Sequence, residues 1–277
     1  MAPNLPSSPV AQAFFAALDK DRASDTTGTS RFVQKRIQTL GWRNRFSQAE
    51  FYPVSVDNIE FSVRQVQRGE VEGTYGTGAT VWPAAIVLLK YLERHADTLL
   101  RNKRCVDLGS GTGITSAGAA LLGAKEIICT DGEPNVVKLA TDNIDHIMSE
   151  ISEAGVDVDR TETRRIRGCP IYVQEYWWGS GTIHGGNYAD VIIVADCVLP
   201  KLYPIGPLVE AINELLRDPN SLAILSYEYR YYPDFDPATE FRRLCTANGL
   251  LVETVSPDEQ DPVYSVDDIE IWLVRRK

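Results

Sequence analysis

Histidine is scarce: only His95, His146 and His184 occur in 277 residues. None has a second ligand at metal-like spacing, so no metal site is expected. A serine or cysteine hydrolase is excluded for want of a G-x-S-x-G elbow and a histidine partner. No C-x-x-C pair occurs. The five cysteines (Cys105, Cys129, Cys169, Cys197 and Cys245) are odd in number and widely spaced, which predicts reduced thiols. Cys105, Cys129 and Cys197 sit in apolar, strand-like contexts. No apolar run approaches the roughly 20 residues that span a bilayer, so no membrane partner is expected. Residues 1–10 lack a basic stretch followed by an apolar core, so no signal peptide is expected. A cytoplasmic location, with the nucleus as a second compartment, is the resulting expectation. Positive charge is in deficit: Lys plus Arg is 28 against 38 Asp plus Glu, a net charge of −10. A phosphate-tracking protein is normally basic, which argues against a nucleic-acid partner. One local basic run, Arg160, Arg164, Arg165 and Arg167, reads as a solvated loop.

What remains is an ordinary globular composition, 44% apolar and 24% charged. Residues 1–45 read as an N-terminal helical extension. Val10–Leu18 and Phe32–Leu40 carry apolar residues at helical spacing, and a Ser/Thr/Gly/Asp stretch separates them. Residues 46–277 read as one domain. Ile59, Phe61 and Val63 alternate with polar residues, the pattern of a half-buried strand. A glycine-rich stretch follows, and Pro83 then opens a helix over Ala84–Leu92. Strands are expected at Arg104–Leu108, Glu126–Thr130, Ile171–Gln174, Asp190–Ala195 and Leu222–Tyr227. Helices are expected at Ile114–Leu122, Pro134–Glu150, Leu208–Arg217 and Phe235–Ala247. This alternation predicts an α/β fold with a mostly parallel sheet and helices on both faces. Leu250–Val255 and Ile269–Val274 have no helix between them, so they should pair antiparallel at one edge.

The most informative motif is Val106-Asp107-Leu108-Gly109-Ser110-Gly111-Thr112-Gly113, set between a strand and a helix. Glycines let the backbone approach a ligand, and the next helix start can face an anionic group. The dinucleotide fingerprint is G-x-G-x-x-G. Here the third glycine comes one residue early, and Ile114 stands where the last glycine should be. This G-x-G-x-G, with Asp107 two residues before its first glycine, resembles the S-adenosylmethionine loop of class I methyltransferases. Asp131 ends the second strand beside that loop, where a carboxylate can accept hydrogen bonds from both ribose hydroxyls. The alternative for Asp131 is a helix N-cap before Glu133-Pro134.

Three further motifs extend the likeness over about Phe51 to Lys277. They are Thr77-Gly78-Ala79-Thr80-Val81-Trp82-Pro83-Ala84-Ala85, Tyr176-Trp177-Trp178-Gly179 and Val194-Ala195-Asp196-Cys197, and the closing Ile269-Glu270-Ile271-Trp272 agrees. Together they resemble the family 16 seven-strand protein-lysine methyltransferases, relatives of methyltransferase-like protein 21. The resemblance implies a Rossmann-like fold with a seven-stranded sheet that includes an antiparallel edge strand. It implies S-adenosylmethionine contacts at Trp82, Asp107, Gly109, Ser110, Gly111, Asp131, Trp178 and Ala195. Trp178 offers a flat face for adenine, and Trp82 a face near the sulfonium. Both could equally be core aromatics, and Trp177 is the alternative to Trp178 if the register slips by one. Asp196 and Tyr203 are the candidate catalytic residues. Asp196 would orient the incoming amine, and its alternative is a capping or loop aspartate.

The family's D-x-x-Y tyrosine is replaced here by Leu199. The run Asp196–Tyr203 is also similar to the calmodulin-lysine methyltransferase branch, where a later tyrosine occurs, so Tyr203 is the candidate substitute. The implied activity is methylation of a lysine on a non-histone protein such as a chaperone or elongation factor, by a monomer. The other readings are a different acceptor (protein arginine or histidine, or a small molecule) and a non-catalytic cofactor-binding scaffold. A nucleobase amino-methyltransferase would carry Asn/Asp-Pro-Pro-Tyr/Phe where this chain has Asp196-Cys197-Val198-Leu199.

Overall fold

A computed structural model describes residues 41–43, 45–67, 75–200, 202–233 and 235–277. The helices expected over Val10–Leu18 and Phe32–Leu40 lie outside the described residues. The last residues assigned to that extension contact the domain. Trp42 Nε1 donates to the carbonyl of Val263 at 3.2 Å, and its ring lies 5.1 Å from that of Tyr264.

Two sheets form. The small one pairs β1 (Phe51–Val56) with β2 (Ile59–Arg64), antiparallel. The large one contains β3 (Arg104–Leu108), β4 (Glu126–Asp131), β5 (Val158–Asp159), β6 (Arg164–Ile166), β7 (Cys169–Glu175), β8 (Val191–Ala195), β9 (Leu222–Glu228), β10 (Leu250–Thr254) and β11 (Ile269–Arg276). Its order is β10-β11-β9-β8-β3-β4-β7-β6-β5. The strands β9, β8, β3, β4 and β7 run parallel. Seven of the nine strands are those expected from sequence. β10 and β11 pair antiparallel at one edge, with β11 inserted between β10 and β9.

The additional strands β5 and β6 correct one expectation. The basic run is not a solvated loop: Arg164 and Arg165 lie in β6, antiparallel to β7. Its arginines are spent on protein partners. Arg164 forks onto Asp145 at 2.7 and 2.8 Å, and Arg167 binds Asp57 and the carbonyl of Leu121. Backbone pairing and local ion pairs hide a strand, one in from the sheet edge, whose side chains read as hydrophilic.

Strand residues alternate between two cores, as a pleated sheet requires. Cys105, Ile127, Ile193 and Ile224 face one cluster, which includes the helices α1 (Pro83–Arg94), α3 (Ile114–Leu121) and α4 (Pro134–Glu153). Val106, Ile128, Ile192 and Leu225 face the other, under α5 (Ile205–Leu215) and α6 (Pro237–Ala247). The short α2 (Ala96–Leu99) follows α1. Burial on both faces explains why the central strands read as mainly apolar runs without polar alternation. Prolines occupy the first turn of α1, α4 and α6, where a missing N–H costs nothing. Asp236 caps α6 by accepting from the Ala238 N–H at 3.1 Å. All five cysteines are buried and unpaired. Cys197 stands in the loop after β8 rather than in a strand.

From β3 the chain steps outward through β4 to β7, then returns to β8 on the other flank of β3. The reversal lies between β3 and β8. Loops after the carboxyl ends of parallel strands diverge at such a point and leave a crevice.

Candidate active site

The crevice is a cavity of about 330 Å³, lined by the loops after β3, β4, β7 and β8 and by residues 75–85. Trp82, Gly109, Ser110, Gly111, Asp131, Trp178, Ala195, Asp196 and Tyr203 all reach its surface. Asp107 does not; it lies beneath the lining and is fully buried.

The floor is the glycine turn. Gly109 and Gly111 have φ of 68° and 55°, the left-handed region that glycine enters without strain. Space is equally restrictive. A Cβ on Gly109 would stand 2.7 Å from Cys197 Sγ, and one on Gly111 would stand 2.9 Å from the carbonyl oxygen of Gly78. Beneath the turn, Asp107 Oδ2 accepts from Thr115 Oγ1 at 2.6 Å and Ser116 Oγ at 2.7 Å. This ties β3 to the first turn of α3. Asp107 Oδ1 is buried with no hydrogen-bond partner among the described residues. Burial raises the Asp107 carboxyl to about 6, the two hydroxyls oppose that rise, and nearby Asp131 adds to it.

Asp131 ends β4. Its Oδ2 accepts from the Gly111 N–H and its Oδ1 from the Glu133 N–H, both at 3.1 Å. The N-cap of α4 is Glu133, which accepts from the Asn135 N–H. Asp131 is therefore not the cap that the sequence left open. Its carboxyl is raised by burial, against hydrogen bonds from the backbone of residues 133, 111 and 132.

Aromatic rings form the wall. Trp178 is half-buried, and its indole meets the Tyr203 ring edge-on at 5.7 Å. Tyr203 Oη is 2.8 Å from Thr77 Oγ1, which ties the wall to the segment opposite. The Tyr203 N–H donates to the Leu199 carbonyl at 2.8 Å. Both residues line the cavity, so Tyr203 stands one turn beyond the position that Leu199 vacates. Trp177 also lines the cavity but is 60% exposed. Trp82 donates from Nε1 to the Thr77 carbonyl at 2.8 Å.

Asp196 follows β8 and is 4% exposed. It caps no helix: the residue before α5 is Pro204. Its φ of 56° is uncommon for a residue with a Cβ, and such strain persists where surrounding contacts hold it. Those contacts come from β9 and the residues after it. Oδ1 accepts from the Glu228 N–H at 3.2 Å and Arg230 Nη1 at 2.8 Å, and Oδ2 accepts from Arg230 Nη2 at 2.5 Å. Burial raises the Asp196 carboxyl, and Arg230 pulls it back. Arg230 also covers the Trp82 ring, with Cζ 5.4 Å from its centroid. Sequence reasoning missed Arg230. The available signal was a cation two residues past a strand end in the aromatic run Tyr227–Tyr232.

A family model for lysine methyltransferases matches residues 63–238. The chain belongs to the lysine methyltransferase family. It is 33% identical over 192 residues to the protein N-lysine methyltransferase METTL21A of Danio rerio, covering 68% of this chain and 76% of that one. It is 28% identical over 203 residues to the protein N-terminal and lysine N-methyltransferase efm7 of Emericella nidulans, covering 69% and 73%. Among solved structures it is similar to the T. thermophilus 16S rRNA N2 G1207 methyltransferase in complex with AdoMet and guanosine. That likeness has a TM-score of 0.48 and 14% identity, covering 82% of this chain and 50% of that one.

As a member of this family the protein is an S-adenosylmethionine-dependent methyltransferase, and the cavity suits that cofactor. The glycine turn lines the cavity with bare backbone, at positions where a Cβ would strike Cys197 Sγ or the Gly78 carbonyl. Asp131 presents carboxylate oxygens beside that space, and Trp178 presents an aromatic ring. The unpartnered buried Asp107 Oδ1 leaves negative charge beneath a site for a cation.

Proposed function

We propose that the protein transfers a methyl group to a lysine side chain of a non-histone protein, with Asp196 and Tyr203 serving the acceptor. The carrying observation is that one cavity joins a donor half, Gly109–Gly111, Asp131 and Trp178, to an acceptor half, Asp196 and Tyr203. Relatives named as protein-lysine methyltransferases support the acceptor class.

In this reading Asp131 accepts hydrogen bonds from the ribose hydroxyls, and Trp178 stacks on the adenine. Gly109, Ser110 and Gly111 let the chain approach closely. Ala195 leaves room at the strand end, and Trp82 packs beside the methionine half. When bound, S-adenosylmethionine supplies a methyl group already activated on a sulfonium. The protein then has to align an amine and exclude water, an effect worth up to about 7–11 kcal/mol.

A lysine amine must shed a proton from a group whose free pKa is about 10.4. The apolar, aromatic wall disfavours the ammonium. A carboxylate has about four acceptor positions, and Asp196 uses three, two on Oδ1 and one on Oδ2. The position left on Oδ2 accepts an amine N–H and aims the nitrogen lone pair. Tyr203 walls the channel.

The test is incubation with methyl-labelled S-adenosylmethionine and cell lysate, followed by mass spectrometry of the labelled band. The expected product is methyl-lysine, lost in Asp196→Ala while cofactor binding persists. Label on arginine, histidine or a small molecule would overturn the acceptor, and unchanged labelling by Asp196→Ala would remove that residue from the reaction.

A further inference from the structure

An ion chain runs behind the acceptor half of the site. Asp268, just before β11, accepts from Arg43 Nη1 at 2.8 Å. Arg43 Nη2 donates to Glu228 Oε1. Glu228 Oε2 lies 3.1 Å from Arg230 Nη2, and Arg230 forks onto Asp196. The Arg230 guanidinium also lies over the Trp82 ring, with Cζ 5.4 Å from its centroid. Residues distant in sequence thus form one chain of contacts that ends on the Asp196 carboxylate.

We propose that Arg230 is a positioning residue that makes Asp196 an acceptor for a neutral amine instead of an anchor for an ammonium. The inference rests on the acceptor reading of Asp196 given above. A bare, buried carboxylate facing the cavity would hold the substrate's ammonium tightly and keep it protonated, since an opposite charge favours the charged form. An ammonium has no lone pair and cannot take a methyl group. With Arg230 in place, Asp196 carries a compensated charge and no longer selects the cation. It keeps one acceptor position, and the fork fixes the direction in which that position points. Glu228 accepts from the same Nη2 that donates to Asp196, and Arg43 holds Glu228.

The charged and titratable groups facing Asp196 are few. From the end of β9 and the residues after it come Glu228 and Arg230. From its own loop comes Cys197, whose thiol burial pushes up. Asp131 and Asp107 act on Cys197 in turn, and Asp131 and Tyr203 line the same cavity. Among the described residues, Arg230 is the cation that acts on Asp196. Its guanidinium stays charged: burial opposes this, and Asp196 and Glu228 together outweigh burial.

Loss of Arg230 acts in one direction on two groups. The carboxyl of Asp196 loses the neighbour that holds it down, and the bound lysine gains an uncompensated anion that holds its proton. Both move the rising limb of the pH–rate profile to higher pH.

The experiment measures kcat and KM against pH for wild type, Arg230→Gln and Arg230→Lys. It uses methyl-labelled S-adenosylmethionine and the lysate protein that the wild type labels. Thermal melts and calorimetric cofactor titration accompany each variant. The expected result for Arg230→Gln is a rising limb displaced upward by about one pH unit, the low end for a lost opposite charge, with kcat near neutrality down about tenfold. Arg230→Lys keeps the charge without the fork, so its limb stays near wild type while kcat falls. If Arg230→Gln lowers kcat with its limb unmoved, or raises kcat, the positioning role is overturned. Asp196→Ala separates the two readings. Activity in that variant would sink the acceptor reading itself, whereas an inactive Asp196→Ala beside an unmoved Arg230→Gln profile would sink only this inference.

Discussion

The backbone N–H of Gly111 donates to Oδ2 of Asp131 at 3.1 Å, which binds the turn after one core strand to the carboxylate that ends the next. The bond holds the donor half in shape before any ligand arrives. It depends on Gly111 remaining at a φ of 55° against the carbonyl of Gly78. Gly111→Ala adds about 1–2 kcal/mol of left-handed strain and a Cβ 2.9 Å from that oxygen. The expected outcome is a melting temperature lower by about 2–8 °C, with cofactor binding lost. Differential scanning calorimetry and titration with S-adenosylmethionine check both. A variant that melts and binds like wild type would show that the turn tolerates a side chain.

The two adjacent tryptophans should behave differently. Trp178 is half-buried, packed between Gly109 and Tyr203, whereas Trp177 is 60% exposed and donates from Nε1 to Glu175. Base–aromatic stacking is worth about 1–3 kcal/mol. Trp178→Ala is therefore expected to weaken cofactor affinity about tenfold or more, and Trp177→Ala less. Isothermal calorimetry decides, and the reverse order would move the adenine face to Trp177.

Asp107 sets a pH dependence. Its carboxyl is raised to about 6, mainly by burial. Below that pH it gains a proton, and the negative charge beneath the glycine turn disappears. A cationic cofactor then binds more weakly, so affinity should fall as pH drops through about 6. For stability the sign is opposite. The raised folded value makes the ionised form a cost above about 6, and the cost is relieved as pH falls toward the ordinary carboxylate range near about 4. Asp107→Asn should remove this step from the affinity profile while melting no lower than wild type at neutral pH. Calorimetry across the pH range tests the first point and thermal melts the second.

Much of this was legible because the residues carry their own constraints. Gly109 and Gly111 are where a side chain would strike Cys197 and Gly78, so the sequence had to mark them. Asp131 follows an apolar strand whose end topology places beside the turn. The central strands are buried on both faces and announce themselves as apolar runs. By contrast, β6 lies one strand in from the sheet edge; its Arg164 pairs with Asp145 and the Arg167 that follows it pairs with Asp57, and paired charge on and beside a strand looks like a solvated loop. Arg230 was invisible for a related reason. Its significance comes from Asp196, Trp82 and Glu228, which only the folded sheet brings together. The position of Asp107 under the lining rather than in it depends on how β3 packs against α3, and no local pattern states that.

Titration of the full-length protein with S-adenosylmethionine, beside Asp131→Ala, tests the central claim most directly. The account predicts a clear heat of association for wild type and an affinity about 30-fold weaker for the variant, the equivalent of about 2 kcal/mol for hydrogen bonds to a charged group. No heat with wild type, or undiminished affinity in Asp131→Ala, would contradict it.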